Sequence, residues 1–451
     1  MQSNGDTLDE WKPTKAVPTV SAVFKDGAIL EMLHDPQEHQ TRFAFWREGS
    51  FIIKEKLVLN PVYCLVPYSP NNNLIKNQIV LLPKEPQEYG SEDELFAEIK
   101  SFIHRYVDVS PLYEDIATYY VLFSWLYDSF NELPYLRVRG DAGTGKTRFL
   151  LTVGSLCYKP IFASGASTVS PIFRLLESFR GTLVLDESDF RFSDEKAELV
   201  KILNNGNVRG FPVLRSDANN KGEFNPHAYN VFGPKIIASR GDFEDKALES
   251  RFLTEDIGNA KLREDIPINL PKEFKAEAQR LRNKLLLFRF KNLDKCHVSP
   301  ALVDRTLEPR LNQIFVPLLS IVKDEEAREK LKQVARQCQR EMISERGLGT
   351  EAQVLEVIQD IMSLPGTPLS IKEIADRFID LYENEYKQKI TPKWIGYVVR
   401  KRLHLRAERG RSGFVIPESE TLKIQQLLER YGLEDVSISE QSAVNGVNIE
   451  V

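Results

Sequence analysis

A glycine-rich loop is the stretch of this chain whose residue types and spacing most directly predict chemistry. Gly140, Gly145, Lys146 and Thr147 satisfy the spacing G-x-x-x-x-G-K-[ST], and Gly143 adds a further glycine. Such a loop turns backbone N–H groups toward phosphate oxygens, its lysine supplies positive charge to the β and γ phosphates, and its threonine hydroxyl is a ligand for Mg²⁺. The loop therefore predicts a site for a nucleoside triphosphate. The expected nucleotide contacts are Gly140, Asp141, Ala142, Gly143, Thr144, Gly145, Lys146, Thr147 and Arg148.

A second motif follows downstream, where the apolar run TLVL ends in Asp186 and Glu187. A carboxylate at the carboxyl end of a parallel strand is placed where open α/β sheets bind ligands, so we expect Asp186 to join Thr147 in holding Mg²⁺. Glu187 is then the candidate general base that polarises an attacking water. The alternative is that Glu187 is a solvated surface carboxylate.

Two further candidates complete the predicted catalytic set. The apolar segment at residues 233–239 ends in Ser239, whose hydroxyl is placed to orient water near the γ-phosphate. Arg251 follows in the segment DFEDKALESRF and can stabilise transition-state charge on an ATP bound to a neighbouring subunit, as an arginine finger does. Arg240 is the rival for that role. Either arginine can instead pair with neighbouring acidic residues, as exposed charges commonly do.

Alternating strands and helices would position these side chains. Leu136 and Val138 belong to a predicted strand before the loop, and residues 147–157 read as a helix after it. Strands at residues 159–163 and 182–185, with a helix at residues 170–179 between them, continue the alternation. This pattern predicts a parallel sheet with flanking helices. A periodic helix at residues 271–291 is the expected start of a helical lid.

Residues 205–232 interrupt the alternation and read as a β-hairpin around a turn-rich centre. Arg209, Arg215 and Lys221 make it a candidate for contact with a nucleic-acid backbone. The alternative is a plain surface hairpin.

The last part of the chain carries a separate basic signal. Three predicted helices are followed by a strand, a glycine turn and a strand, which resembles a winged helix-turn-helix. Residues 391–411 contain seven Lys/Arg and one acidic residue, in a chain whose net charge is -5. The predicted DNA contacts are Lys393, Arg400, Lys401, Arg402, Arg409 and Arg411. Winged helices also dock proteins, which is the alternative here.

The remaining segments define the predicted organisation. We expect a disordered arm at residues 1–19, a small β-rich domain at 20–90, a helical collar at 91–134, the ATPase with its lid at 135–345, the winged helix at 346–430 and a disordered tail at 431–451. The collar contains an aromatic-rich helix, for which core packing is favoured over a base-stacking platform.

Composition narrows the class of protein. The 451 residues include 42% hydrophobic and 28% charged residues, as in ordinary globular domains. The four cysteines lack the C-x-x-C spacing of zinc ribbons, and no apolar run approaches a membrane span. We therefore expect a cytoplasmic protein.

The segments GDAGTGKT, TLVLDE, IIAS and ALESRF, in this order, resemble the AAA+ ATPases. The last resembles the arginine-finger segment of minichromosome-maintenance-type helicases, and the inserted hairpin is similar to that of superfamily 3 helicases of plasmids, phages and mobile elements. Ser239 stands where superfamily 3 helicases usually carry asparagine. The resemblance implies an α/β fold with an AAA+ core, and a homo-oligomer, a hexameric ring, with ATP and Mg²⁺ bound between subunits. Arg251 would come from the neighbouring subunit.

The resulting functional hypothesis is an ATP-hydrolysing DNA motor, either a ring-shaped DNA helicase or a replication-initiator ATPase. The first alternative is an AAA+ switch or helicase loader that binds DNA through its winged helix without unwinding it. A third possibility is an ATPase that docks a protein partner. The hairpin discriminates the first two, because a motor needs a basic hairpin lining a central pore.

Overall fold

The computed structural model describes residues 14–165, 167–186, 194–216, 225–243, 245–258, 261–364, 366–386, 389–410 and 413–433. The chain divides into two compact units, residues 1–332 and 333–451. Each unit is described separately below.

The first unit begins with two small sheets. Their strands are β1 Lys15–Thr19, β2 Ser21–Val23, β3 Ile29–Asp35, β4 Gln40–Arg47, β5 Ser50–Lys54, β6 Leu57–Val58 and β7 Tyr63–Pro67. Strands β2 to β5 form an antiparallel sheet in chain order, whereas β7 lies between β1 and β6. The predicted disordered arm is wrong for β1, which pairs in parallel with β7. The polar, proline-containing composition of this segment did not reveal a partner strand more than forty positions away.

Three helices follow: α1 Asn73–Lys76, α2 Glu92–Tyr106 and α3 Pro111–Leu126. Ser91 and Glu94 form a reciprocal capping box at the start of α2, which satisfies backbone donors that a helix otherwise leaves unpaired. Helix α3 starts with Pro111 behind a Ser110 cap, and its residues are buried on nearly every side. Its aromatic residues are therefore core, as the core-packing interpretation predicts.

The middle of the first unit is a mixed α/β layer. Its elements are β8 Tyr135–Arg139, α4 Lys146–Gly154, β9 Ile161–Ser164, α5 Val169–Phe179, β10 Leu183–Asp186, α6 Asp194–Asn205, β11 Val213–Arg215, β12 His227–Tyr229, β13 Lys235–Ser239, α7 Lys246–Glu249 and β14 Phe252–Asp256. Five strands form a parallel sheet in the order β14-β8-β13-β10-β9. Strands β8, β10 and β13 are almost continuously buried, as strands covered on both faces must be. The predicted parallel sheet with helices is confirmed.

Helices α8 Phe274–Asn292, α9 Pro309–Ile321 and α10 Glu325–Gly347 come next in the chain. A buried charge cluster connects α8 to the N-terminal strands. The Arg289 guanidinium lies 2.8 Å from Glu31 and 2.6 Å from Asp128, and the Tyr158 hydroxyl donates to Glu31 at 2.6 Å. Because these groups are desolvated together, the N-terminal strands and the sheet layer form one compact body.

The second unit has a core of its own. Its elements are α11 Thr350–Met362, α12 Ile371–Tyr382, α13 Pro392–Tyr397, a π-helical segment Val398–Arg402, β15 Glu408–Gly410, β16 Gly413–Val415 and α14 Thr421–Tyr431. Ile358, Phe378 and Val398 are fully buried in its apolar cluster. The Ile416 N–H donates to the Leu369 carbonyl at 2.8 Å, which ties the β15–β16 hairpin to the start of α12.

The described residues contain neither a membrane-spanning helix nor a cluster of metal-ligating side chains. None of the helices has the length and apolar character needed to cross a bilayer. Within the same residues, no group of three or more His, Cys, Asp or Glu side chains is arranged to hold a metal ion.

Candidate nucleotide-binding site

The loop between β8 and α4 is shaped by its glycines. Gly143 and Gly145 have φ angles of 83° and 95°, which L side chains rarely adopt. A Cβ atom on Gly140 would lie 2.4 Å from the Ile257 carbonyl oxygen, so this position admits only glycine without a backbone shift. Helix α4 begins directly after the loop at Lys146. The first backbone N–H groups of α4 therefore face the concave side of the loop, where anions bind helix ends.

Lys146 lies folded over this loop. Its Nζ donates to the carbonyl oxygens of Gly140 and Asp141, each at 2.5 Å, and the side chain is largely buried. Burial lowers the pKa of the Lys146 ammonium, and the positive charge of Arg240 lowers it further. An incoming phosphate would supply the negative charge that the two neutral carbonyls do not.

Thr147 and Asp186 meet beside Lys146. The Thr147 hydroxyl donates to the Asp186 carboxylate at 2.7 Å. Asp186 ends β10, between Ser164 of β9 and Ala238 of β13. A hydroxyl and a carboxylate oxygen are the hard ligands that Mg²⁺ prefers, so this pair fits the predicted metal position. Glu187, the predicted general base, lies outside the described residues.

Ser239 and Arg240 lie on the same edge of the sheet. Ser239 ends β13 in register with Arg139, and its carbonyl accepts from the Gly140 N–H at 3.2 Å. The Ser239 hydroxyl is buried and donates to the Gly241 carbonyl at 3.0 Å, which leaves its oxygen able to accept. Arg240 directly follows Ser239, whose carbonyl accepts from the Gly140 N–H, so the backbone of Arg240 lies beside the chain's own phosphate loop.

Arg251 lies at the opposite edge of the sheet. Its carbonyl accepts from the Tyr135 N–H at the start of β8, whereas the phosphate loop follows the end of β8. Five strand residues at about 3.3 Å each separate the two edges. Arg251 is 9% exposed, its guanidinium donates a hydrogen bond to the Asn204 side chain, and burial lowers its pKa. Arg251 is thus out of reach of the loop of its own chain.

Several predicted contacts are engaged within the protein. The Arg148 guanidinium donates to the carbonyls of Pro267 and Ile268, at 3.0 and 2.5 Å. Arg209 precedes the strands of the hairpin, donates to the carbonyls of Asp128 and Phe130, and stacks on Phe232. These acceptors are main-chain groups distant in sequence, so no local sequence pattern predicts that they bind Arg148 and Arg209.

The hairpin itself offers little unpaired charge among its described residues. Arg215 forms an ion pair with Glu198 and lies 4.7 Å from the ring centroid of Phe173. Lys221 lies outside the described residues. In the described part of this segment, Arg209 and Arg215 therefore do not form a row of solvated charges.

The second unit presents its basic residues differently. Lys393, Arg400 and Lys401 are exposed, and so is Arg409 of β15. The Arg400 guanidinium lies 5.4 Å from the Phe414 ring of β16, so the π-helical segment after α13 meets the hairpin at this cation. Arg411 lies outside the described residues.

Two residues differ from the predicted DNA contacts: Arg402 was predicted but is paired within the protein, and Tyr397 is exposed but was not predicted. Arg402 is ion-paired with Glu351 at 2.6 Å, which assigns it to packing against α11. Tyr397, 56% exposed, lies four residues after Lys393 and therefore on the same side of α13. The spacing of Tyr397 from Lys393 indicates this shared face, but a prediction based only on basic residues does not include a tyrosine.

No protein-family model matches the chain, and no curated protein matches its sequence. Solved structures do resemble it. The SCCmec type IV Cch active helicase is 12% identical over 92% of this chain and 82% of that chain, with a TM-score of 0.42. The C-terminal region of NrS-1 is 12% identical over 86% of this chain and 95% of that chain, with a TM-score of 0.34. The Aeropyrum pernix ORC1 protein in complex with DNA is 16% identical over 75% of this chain and 92% of that chain, with a TM-score of 0.22.

Proposed function

We propose that this protein is an ATP-hydrolysing DNA motor, a ring-shaped helicase or replication-initiator ATPase of the AAA+ type. The observation that carries the proposal is the hydrogen bond of 2.7 Å between Thr147 and Asp186, beside the Lys146 ammonium. Residues from two separate segments thereby assemble the cation, the metal ligands and the glycine loop that a triphosphate requires.

Each residue has a defined part in this proposal. The loop N–H groups and Lys146 bind the β and γ phosphates, and Thr147 and Asp186 hold Mg²⁺, which when bound neutralises charge on the phosphates. Glu187 takes a proton from the attacking water. Ser239, at the end of the neighbouring strand, accepts a hydrogen bond that orients this water.

The position of Arg251 supports an oligomer. Because Arg251 lies at the edge of the sheet opposite its own phosphate loop, a role in transition-state stabilisation requires an ATP of a neighbouring subunit. The guanidinium would have to turn away from Asn204 to reach it. Head-to-tail contacts of this kind close into rings when the rotation per subunit allows. We propose a hexamer.

The second unit supplies the proposed DNA contact as a winged helix. Lys393, Arg400 and Lys401 lie exposed on or next to α13, where a recognition helix enters the major groove, and Arg409 lies in the wing. The same surface carries Tyr397, whose ring can pack against a sugar or base.

The hairpin favours a second candidate, the ATP-dependent switch. Arg209 and Arg215 are bound to internal acceptors, whereas a motor that moves DNA through a pore needs solvated cations on its hairpin. In the switch, ATP turnover changes the shape of the assembly and DNA is held only by the second unit.

One experiment separates these functions. ATP turnover is measured alone, with single-stranded DNA and with duplex DNA, together with strand displacement. Stimulation with displacement identifies the motor, and turnover indifferent to DNA identifies the switch. Lys146→Ala should abolish turnover, whereas Lys284→Ala, a matched change far from the loop in sequence, should not. Undiminished turnover in Lys146→Ala would refute the nucleotide site itself.

A further inference from the structure

A second cavity lies away from the phosphate loop in the first unit. Its volume is about 640 Å³, within the range of small-molecule sites. Its walls come from the N-terminal strands, the segment after α1, helix α4 and helix α8. Seven large apolar side chains line it: Ile75, Val80, Leu81, Leu82, Leu151, Phe162 and Phe274.

Arg282 of α8 lines this cavity and is 5% exposed. Its guanidinium donates to the Ser155 carbonyl at 2.8 Å and to the Gln279 side-chain oxygen at 2.7 Å. Its Nε has no hydrogen-bond partner among the described residues. Neither acceptor carries charge, and burial lowers the pKa of Arg282 to about 9. A buried cation paired only with neutral groups is costly unless a negative charge joins it.

Arg289, seven residues further along the same helix, provides an internal comparison. Arg289 is also buried, but the carboxylates of Glu31 and Asp128 bind it. Burial acts to lower the pKa of Arg289, and these carboxylates raise it well above the ordinary value. Carboxylates therefore balance the charge of Arg289, whereas Arg282 lines the cavity without one.

The other charges of the cavity do not replace the missing carboxylate. Asp35 is the one acidic residue among the lining residues, and it pairs with Lys84 at 3.1 Å. Lys275 and Arg280 are exposed cations at the rim. The cavity therefore suits an anion with one head group and an apolar body, because Arg282 is its one buried arginine among the lining residues and much of the wall is apolar.

We propose that this cavity binds a small amphiphilic carboxylate, with its head group on Arg282 and its apolar body along Leu82, Leu151 and Phe274. Guanidinium and carboxylate match as planar groups that share two parallel hydrogen bonds. The site is separate from the nucleotide site and does not depend on ATP hydrolysis or DNA binding.

The test compares octanoate with its neutral counterpart 1-octanol by isothermal titration calorimetry on the full-length protein, below the concentrations at which either aggregates. We expect the wild type to bind octanoate more tightly than octanol. Arg282→Met should weaken octanoate binding by roughly tenfold or more and leave octanol binding nearly unchanged, because only the charged head group loses its partner. Lys284→Met removes the same charge from the same helix outside the cavity lining and should preserve both affinities.

A second variant keeps the test decisive if Arg282→Met does not fold. Leu151→Trp places a larger side chain in the cavity and should abolish binding of both ligands, with the fold verified by circular dichroism. The proposal is overturned if the wild type does not prefer octanoate, if Arg282→Met retains the preference, or if Leu151→Trp binds octanoate as tightly as the wild type.

Discussion

At the scale of residues, the contact between Thr147 and Asp186 makes a prediction about magnesium. Asp186→Asn keeps the size of the side chain and removes its charge, so we expect ATP turnover to fall by at least about 100-fold and to require more Mg²⁺. Turnover is measured across a magnesium titration. Asp256→Asn is the matched control, because Asp256 ends β14 at the same edge of the sheet but pairs with Arg139. A magnesium dependence that is the same in Asp186→Asn and the wild type would contradict the metal assignment.

Lys235 makes a prediction about pH. Its Nζ donates to the carbonyls of Val231 and Gly233 at 3.0 and 2.9 Å, and burial lowers its pKa to about 7. Between pH 7 and the ordinary lysine pKa the unfolded state binds more protons, so Lys235 makes the free energy of unfolding rise with pH across this window. Below pH 7 both states hold the proton and the effect levels off.

Lys235→Met should remove this dependence. The free energy of unfolding is measured by urea titration at several pH values from 7 to 10. The wild-type value minus the Lys235→Met value should increase as the pH rises. Lys291→Met, a charge loss at a side chain paired with Glu88, should show no such trend. A constant difference for Lys235→Met would mean that Lys235 titrates normally.

Single residues also show where sequence reasoning works and where it stops. The glycine loop and the strand ending in Asp186 are local patterns, and the structure brings Thr147 and Asp186 together. The partners of Arg148 and Arg209 are main-chain carbonyls distant in sequence. Carbonyls belong to every residue, so composition and spacing cannot identify which of them binds an arginine.

At the scale of elements, α13 and the hairpin after it make a prediction about DNA. Lys393→Gln and Arg400→Gln should each weaken DNA binding and reduce the slope of log affinity against log salt by about one, because each removes one phosphate contact. Arg402→Gln is the matched control, since Arg402 pairs with Glu351. Fluorescence anisotropy at several salt concentrations measures all three. Equal slopes for the wild type and Arg400→Gln would favour the protein-docking alternative.

Elements were predictable to the extent that their patterns are local. The alternation of apolar strands and amphipathic helices predicted the parallel sheet. The strand β1 was missed because its place depends on pairing with β7, and the cluster around Glu31 was missed because its members come from four separated segments. Pairing between segments distant in sequence produces no periodic pattern in either segment, so the sequence does not predict it.

At the scale of the whole molecule, the opposite placements of the phosphate loop and Arg251 predict a shared active site. Glu187→Gln lacks the proposed base and Arg251→Ala lacks the proposed finger, so each alone should bind ATP and hydrolyse it at a small fraction of the wild-type rate. In an equal mixture, about one interface in four joins an intact Glu187 to an intact Arg251 if subunits assemble randomly into head-to-tail rings. Turnover should therefore reappear on mixing. Arg251 also hydrogen-bonds Asn204, so the thermal stability of Arg251→Ala is measured alongside. A folded Arg251→Ala that hydrolyses ATP normally, or a mixture that stays inactive although size-exclusion chromatography shows mixed rings, would refute the shared site.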